Sequence, residues 1–205
     1  MNICVYGASS NAIDKDYILA GELLGEEMSR RGHNLIFGAG ASGLMGAVAR
    51  GVSKGGGKTI GIVPSFFSGD GVLFECSEII RTKDMRERKK LLDEMSDAFI
   101  ISPGGIGTFD EFFEILTLKQ LARHNKAIAL LNTKGCYDLM DNLLKETAKR
   151  GFMRENSLDL YKMFNTPTEV LDYIENYSPE DFDIEHMKHL GITGCDKMCI
   201  PHKEN

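Results

Sequence analysis

The chain is built around the segment Ile100-Ile101-Ser102-Pro103-Gly104-Gly105-Ile106-Gly107-Thr108-Phe109-Asp110-Glu111. The apolar run 98–101 predicts a short buried strand, the proline and glycines predict a turn, and a helix follows at once. Three glycines in four positions, Gly104, Gly105 and Gly107, let the backbone approach a ligand closely. The N–H groups of the turn and the positive end of the helix dipole predict an anion site, and a phosphate is its natural occupant.

Two side chains lie beside this glycine-rich turn. Thr108 can cap the helix or donate its hydroxyl to the ligand, and the sequence allows both. Glu111, one turn into the helix, faces back toward whatever the turn holds. Its neighbours Asp110 and Glu114 are interpreted as helix-terminus acids. An ordinary strand–helix turn is the alternative, but the glycine density exceeds what such a turn needs, so we favour phosphate binding.

Apolar runs and amphipathic helical stretches alternate along the rest of the chain. Strands are predicted at 2–6, 34–37, 59–63, 77–80, 98–101 and 127–131, and helices at 15–31, 43–52, 84–96, 108–121, 137–150 and 168–175. This alternation indicates an α/β fold with a doubly wound, Rossmann-like parallel sheet and helices on both faces. Ligands are expected at the carboxyl ends of its strands. We predict one nucleotide-binding domain over residues 1–177, followed by a C-terminal extension over 178–205.

Composition argues against several classes of protein. Of the 205 residues, 42% are hydrophobic and 26% are charged, which is typical of a soluble globular protein. The net charge of −6 argues against a nucleic-acid partner, and no apolar run approaches the ~20 residues that cross a membrane. No signal peptide is visible, and the five scattered cysteines suggest reduced thiols. The expected location is cytoplasmic.

The stretch 38–43, Gly-Ala-Gly-Ala-Ser-Gly, has the GxGxxG pattern of dinucleotide-binding proteins. In those proteins an acidic residue that binds the ribose follows about 20 residues later. This chain has no acidic residue between Gly43 and Asp70. NAD is therefore disfavoured, although Lys54 and Lys58 leave NADP open in principle.

A second glycine run, Gly55-Gly56-Gly57-Lys58-Thr59, carries the lysine and threonine of a P-loop. The place of the first P-loop glycine is taken by Val52, and the lysine leads into a strand instead of a helix. We therefore predict a plain turn between helix and strand. No cofactor is expected from either run.

A single charged residue interrupts an apolar helix face. On the helix predicted from residue 84, Met85, Arg88, Leu92 and Met95 share one side, and only Arg88 is charged. Such an arginine either snorkels to solvent or points into a polar pocket with an anionic partner. The acid-bearing anion site downstream favours the pocket. The other basic residues of this helix are interpreted as a solvated face: Arg86, Lys89 and Lys90.

Residues 103–111, Pro-Gly-Gly-Ile-Gly-Thr-Phe-Asp-Glu, resemble the PGGxGTxxE signature of the LONELY GUY (LOG) family. Members of this family are cytokinin-activating phosphoribohydrolases that are often labelled lysine decarboxylases. A second family motif, an Arg-Lys pair on the preceding helix, matches Arg88-Lys89. The likeness covers residues 2–177.

Two further segments resemble the family. The stretches 38–40 and 43–46 are similar to its GGG…GLMG sequence, with Ala39 in place of the middle glycine, a change that we expect to be harmless. The turn Gly7-Ala8-Ser9-Ser10 follows the first strand and is similar to a serine pair that the family places near the nucleotide. An ordinary polar loop explains these serines equally well.

The resemblance implies roles for individual residues. Arg88 and Glu111 are the implied catalytic pair, in agreement with the independent argument from the helix pattern. The substrate, a nucleoside 5′-monophosphate, is implied to bind at Ser9, Gly40, Met85, Lys89, Gly104, Gly105, Gly107 and Thr108. The family also implies a homodimer with sites near the interface. Leu118 stands where the family has a tryptophan, which affects packing or the dimer contact.

A phosphate cradle, a cation and one carboxylate suit hydrolysis of the N-glycosidic bond of a cytokinin ribotide or AMP. Oxocarbenium character develops on the ribose, and Glu111 could stabilise it or activate the attacking water. A non-catalytic nucleotide or molybdopterin-type carrier is the alternative, but a carrier needs only the loop and not the Arg88–Glu111 pair. Lysine decarboxylation needs a pyridoxal cofactor on a lysine, and no lysine lies in a suggestive context.

The tail from residue 178 onward departs from the family pattern. It contains five residues that could ligate zinc, although their spacing matches no familiar zinc finger; they are His186, His189, Cys195, Cys199 and His202. We favour a tail that covers a neighbouring surface, or a frayed end, and predict no metal.

Overall fold

The computed structural model describes residues 1–67 and 72–178, and a sheet of seven strands lies at the centre of this part. The strands are β1 (Asn2–Tyr6), β2 (Asn34–Phe37), β3 (Thr59–Pro64), β4 (Glu78–Thr82), β5 (Ala98–Ile101), β6 (Ala127–Leu131) and β7 (Lys162–Phe164). All pairs are parallel, in the order β4-β3-β2-β1-β5-β6-β7. The predicted doubly wound α/β fold is confirmed.

The helices form one layer on each face of the sheet. They are α1 (Lys15–Arg30), α2 (Gly43–Lys54), α3 (Met85–Glu94), α4 (Ile106–Gln120), α5 (Asp138–Lys149) and α6 (Pro167–Glu175). Helices α1, α2 and α6 pack on one face, and α3, α4 and α5 pack on the other. In β1, Ile3 and Val5 belong to the first core while Cys4 and Tyr6 belong to the second, because alternate residues point to opposite faces.

Every predicted helix and strand is present, several of their bounds differ by one or two residues, and one strand has no predicted counterpart. Helix α4 begins at Ile106, two residues before the predicted start, and Gly105 is the extended residue that precedes it. Strand β7 has no predicted counterpart, because three residues at the edge of a sheet are too few for a periodic pattern. The run 55–59 forms the predicted turn between α2 and β3, with Gly56 at a φ of +79°.

The order of the strands opens a crevice at one edge of the sheet. Successive strands from β1 to β4 extend the sheet in one direction, and β5 to β7 extend it in the other. The connections that follow β1 and β5 therefore diverge from each other at the carboxyl ends of two adjacent strands. The serine-containing turn and the proline–glycine turn both lie at this point.

Some predictions extend beyond the described residues. The five histidines and cysteines of the tail lie outside them, so the zinc alternative and the boundary of the extension stay predictions. Cys4, Cys76 and Cys136 carry free thiols. Within 1–67 and 72–178, no helix has the length and apolar character that a bilayer crossing requires.

Glycines bring the backbones of α1 and α2 into direct contact. A Cβ atom on Gly25 would overlap the Val48 carbonyl oxygen and lie 2.8 Å from the Val52 nitrogen. A Cβ atom on Gly51 would overlap the Glu22 carbonyl oxygen in the same way. This contact fixes the position of α2 and of the loop that leads into it.

We expect Gly25→Ala to lower the free energy of unfolding by about 1–3 kcal/mol, because the added methyl group forces the two helices apart. Denaturant titration measures the change. Gly21→Ala is the matched control on the same helix, since a Cβ there lies 3.0 Å from its nearest neighbour, the Leu44 oxygen. The gain in helix propensity is the same in both variants. Equal losses in the two variants would contradict this explanation.

Candidate functional site

The crevice holds a cavity of about 730 Å³, within the size range of small-molecule sites. Turns after β1, β2 and β3 line it together with the first turns of α3 and α4. All but two of the predicted site residues lie in its wall: Ser9, Gly40, Met85, Arg88, Gly105, Gly107, Thr108 and Glu111. The two that do not are Gly104 and Lys89.

The start of α4 faces this cavity with its N–H groups. Gly105 precedes the first helical residue, and among the described residues no side chain caps the helix there. The first amides of α4 are left for a ligand, and the helix dipole adds positive charge at the same place. Thr108 lies within the first turn and lines the cavity, so its alternative role as the helix cap is wrong. An uncapped helix start that faces a cavity is an arrangement that favours anions.

Gly104 contributes to this site through its contact with the Thr108 side chain. A Cβ atom on Gly104 would overlap the Thr108 hydroxyl oxygen and lie 2.7 Å from the Thr108 Cβ. Thr108 therefore packs directly on the backbone of the turn, in space that only glycine leaves free. Gly104 lies behind the wall of the cavity and fixes where the hydroxyl is presented.

The turn after β1 is held against both α2 and the proline–glycine turn. The Ala8 amide donates to the Pro103 carbonyl over 3.0 Å. On the other side, Gly43 has a φ of +62°, and a Cβ there would lie 2.6 Å from the carbonyl carbon of Ser9. Ser9 and Ser10 are thereby brought into the cavity wall, which favours the interpretation that they serve a ligand.

Arg88 and Glu111 are in contact in the wall of the cavity. Nη1 of Arg88 donates to Oε1 of Glu111 over 3.3 Å, and its Nε donates to the carbonyl oxygen of Ile62 over 3.1 Å. The two side chains are only 15% and 13% exposed. Arg88 thus reaches a polar pocket with an anionic partner, as the helix pattern predicts.

Burial raises the pKa of the Glu111 carboxyl to about 7, well above its ordinary value. The positive charge of Arg88 acts in the opposite direction and lowers this pKa, while Asp110 raises it. A carboxyl group with a pKa near neutrality can both take up and release a proton at physiological pH. This property suits a general base.

Lys89 points away from the cavity, although it follows Arg88 directly. Its Nζ pairs with Glu114 at 2.6 Å and with Asp110 at 3.2 Å. Both acids lie beyond the first turn of α4, so their interpretation as helix-terminus acids is wrong, and both pair with Lys89. A second cavity of about 510 Å³ lies on this side, and Glu111 is part of the wall of both cavities.

An apolar part of the cavity wall is not predicted from the sequence. Phe67, Val72 and Leu73 lie in the connection between β3 and β4 and line the cavity. Gly40 and Leu73 form an antiparallel β-bridge, and the Ala41 amide donates to the Val72 carbonyl over 3.1 Å. No motif marks these residues, because only the fold brings them to the site.

Ala39 has a φ of +60°, a conformation that glycine adopts freely. A non-glycine residue in this region costs about 1–2 kcal/mol. The replacement of the family's middle glycine by Ala39 is therefore not as harmless as expected, because it places strain in the loop that follows β2.

Lys119 is a further feature without a sequence signal. It is fully buried, and burial lowers the pKa of its ammonium group to about 8. Its Nζ donates to the Lys126 carbonyl and the Tyr177 hydroxyl, each over 2.9 Å. It lines neither of the two cavities and ties α4 to the chain after α6. No sequence pattern predicts this burial, and Lys119 lies apart from the candidate site.

The fold and the glycine-rich loops define a Rossmann-like protein, and comparison with known sequences gives its family. The chain belongs to the LOG family: the family model described as "Possible lysine decarboxylase" matches residues 45–174. It is 36% identical over 201 residues to the cytokinin riboside 5′-monophosphate phosphoribohydrolase LOG of Oryza sativa subsp. japonica, covering 98% of this chain and 79% of that protein. With LOG4 of Arabidopsis thaliana, which bears the same description, the identity is 35% over 178 residues, covering 86% and 83%.

Solved structures share the fold at lower sequence identity. The molybdenum cofactor carrier protein of Chlamydomonas reinhardtii matches with a TM-score of 0.66 and 18% identity, covering 85% of this chain and 95% of that chain. The molybdenum cofactor binding protein of Rippkaea orientalis matches with a TM-score of 0.63 and 21% identity, covering 85% and 93%. At these identities the comparison establishes the fold alone.

Proposed function

We propose that this protein hydrolyses the N-glycosidic bond of a nucleoside 5′-monophosphate, a cytokinin ribotide or AMP, and releases the free base and ribose 5-phosphate. The observation that carries the proposal is the buried Arg88–Glu111 pair, 3.3 Å apart, in the wall of a cavity that the N-terminus of α4 also faces. The names of the curated relatives, cytokinin riboside 5′-monophosphate phosphoribohydrolases, support it.

The 5′-phosphate binds at the start of α4. The amides of Gly105 and Gly107 donate to its oxygens, the Thr108 hydroxyl adds a further donor, and the helix dipole stabilises its charge. The ribose then lies toward Glu111, which is one turn further along the same helix. Ser9 and Gly40, on the turns after β1 and β2, border the nucleoside.

In the reaction the bond between the ribose C1′ and the base nitrogen breaks, and the bonding electrons leave with the base. Oxocarbenium character develops on the ribose, and the Glu111 carboxylate stabilises it and accepts a proton from the attacking water. The water oxygen forms the new bond to C1′, the departing base takes up a proton from solvent, and Glu111 releases the proton that it accepted to solvent. Arg88 holds the carboxylate in place and favours its ionised form.

Product analysis tests this proposal. The purified protein is incubated with AMP and with N6-isopentenyladenosine monophosphate, and chromatography follows free base and ribose 5-phosphate. Release of both products in equal amounts supports a phosphoribohydrolase. Tight nucleotide binding by calorimetry without release would reject it in favour of the carrier alternative.

A homodimer and a cytoplasmic location are part of the same proposal. Helices α4 and α5 expose large apolar side chains, which are Ile106, Phe113, Leu139 and Leu143. Exposed apolar side chains on neighbouring helices are a feature of subunit interfaces. The free thiols of the described cysteines are in keeping with a reducing compartment.

The apolar wall supplied by the β3–β4 connection should favour an apolar group on the base. We expect Phe67→Ala to lower kcat/KM for the isopentenyl nucleotide about tenfold relative to AMP, because one lost apolar contact is worth about 1–3 kcal/mol. Phe66→Ala is the matched control, since Phe66 is also exposed but does not line the cavity. A similar change in both variants, or none in Phe67→Ala, would contradict this role.

A further inference from the structure

The guanidinium group of Arg88 lies directly against the backbone of Gly38. A Cβ atom on Gly38 would overlap Nη2 of Arg88 and lie 3.2 Å from its Cζ and 3.6 Å from its Nε. All three nearest atoms belong to this one side chain. Gly38 is the first residue after β2 and lies in the wall of the cavity, so the arginine is packed against the end of that strand.

Backbone conformation does not explain a glycine at this position. The described glycines with positive φ are Gly32, Gly43, Gly56, Gly135 and Gly151, and Gly38 is not among them. An alanine could therefore adopt the backbone of residue 38 without strain. What the glycine provides is the space that the guanidinium occupies.

Two hydrogen bonds also hold the guanidinium group of Arg88 in its position. Nε donates to the Ile62 carbonyl oxygen on β3, and Nη1 donates to Glu111 on α4. The backbone of Gly38 is the third group that contacts the guanidinium. A displacement of the guanidinium from Gly38 therefore changes the geometry of these two bonds, of which the bond to Glu111 is 3.3 Å long.

We propose that Gly38 is a positioning residue, which sets the location of the Arg88 guanidinium relative to the Glu111 carboxylate. This inference rests on the proposed function for the role of Arg88 in turnover. Misplacement of a reacting or orienting group by about 1 Å can lower a rate about 10²-fold. A methyl group at residue 38 requires a displacement of this size, because it must move the nearest nitrogen to van der Waals distance.

A double-mutant cycle with Gly38→Ala and Arg88→Ala tests the inference. In the presence of Arg88, Gly38→Ala should lower kcat for base release by about 10- to 100-fold. In the Arg88→Ala background the same substitution should change kcat less than threefold, because the displaced group is gone. Equal losses in both backgrounds would assign Gly38 a general structural role and overturn the inference.

The pH dependence of kcat gives a second test. A general loss of structure would lower kcat at every pH without shifting the pKa that the profile reports. The titratable groups that act electrostatically on Glu111 are Arg88 and Lys89 from α3, Asp110 from α4, and Tyr6 and Cys4 from β1. Of these, only Arg88 is displaced by a methyl group on residue 38. The acid limb of the profile should shift to higher pH in Gly38→Ala, in the same direction as in Arg88→Ala, and an unshifted limb would contradict the inference.

A crystal structure of Gly38→Ala separates this inference from the proposed function. The inference expects the guanidinium to leave its place between the Ile62 carbonyl and Glu111 while the strands stay unchanged. An unmoved guanidinium would overturn it, whether or not the wild-type protein releases base. Absence of base release from the wild type, with a displaced guanidinium in the variant, would reject the proposed function alone.

Discussion

Replacement of Glu111 by glutamine should lower the rate of base release by about 10²- to 10⁴-fold, the usual contribution of a general base. Glutamine keeps the size of the side chain and a hydrogen-bond acceptor for Arg88, but it cannot accept a proton from water at neutral pH. Chromatography of free base under saturating nucleotide measures the effect. A loss of less than tenfold would exclude the assignment of Glu111 as the base.

The control for this substitution is Asp110→Asn. Asp110 is the preceding residue on α4, its side chain is 61% exposed, and it pairs with Lys89 outside the larger cavity. Both substitutions replace a carboxyl group by an amide in the same turn of the helix. We expect Asp110→Asn to change the rate less than threefold, so a comparable loss in both variants would point to a general effect of charge.

Glu111→Gln should also make stability less dependent on pH. The pKa of the Glu111 carboxyl is about 7 in the folded protein, against an ordinary value of 4.5. Between these values the folded state binds more protons than the unfolded state, so the free energy of unfolding falls as the pH rises, and the loss is complete above about pH 7. Thermal unfolding at pH 5 and pH 8 should therefore separate wild type from variant, with the variant relatively more stable at pH 8.

Replacement of Arg88 by alanine should lower kcat about 10²-fold, the loss expected when a reacting group, here the Glu111 carboxylate, is displaced by about 1 Å from its productive position. The substitution also removes the positive charge that lowers the pKa of Glu111. The carboxylate must be ionised to act as a base, so the acid limb of the pH–rate profile should move above its wild-type position near pH 7. Rates measured between pH 5.5 and 9 give both quantities.

Arg86→Ala is the matched control for the arginine. Arg86 lies on the same helix, two residues earlier, but is exposed and does not line the larger cavity. It should leave both kcat and the pH profile close to those of the wild type. If Arg88→Ala lowers the rate without shifting the acid limb of the pH–rate profile, Arg88 acts on the bound nucleotide alone and does not influence the ionisation of Glu111.

The sequence predicts the parts of the site that depend on local geometry. A strand, a glycine-rich turn and a helix start are contiguous in the chain, so their residues predict an anion site directly. Arg88 is detectable because it breaks an apolar helix face, and a position on a helix face translates into a direction in space. The same geometry explains why Lys89 lies outside the larger cavity, since adjacent helical residues point in directions about 100° apart.

Features that depend on distant packing could not be predicted. Phe67 and Val72 reach the site only because the β3–β4 connection is paired with the loop after β2. The burial of Lys119 depends on a carbonyl and a tyrosine hydroxyl from later segments. No periodicity marks such residues, because the strand order determines their neighbours. Strand β7 is likewise defined by its pairing with β6 and not by a pattern of its own.

The pairing between the β3–β4 connection and the loop after β2 uses main-chain groups. Ala41 donates to the Val72 carbonyl, and Phe74 donates to the Ala39 carbonyl over 2.8 Å. Substitutions at Phe67 or Val72 therefore leave the attachment itself intact. In evolutionary terms the apolar residues that line this part of the cavity can diverge one at a time while the loop beside Arg88 stays in place, so the shape of the cavity can change without a change in the scaffold.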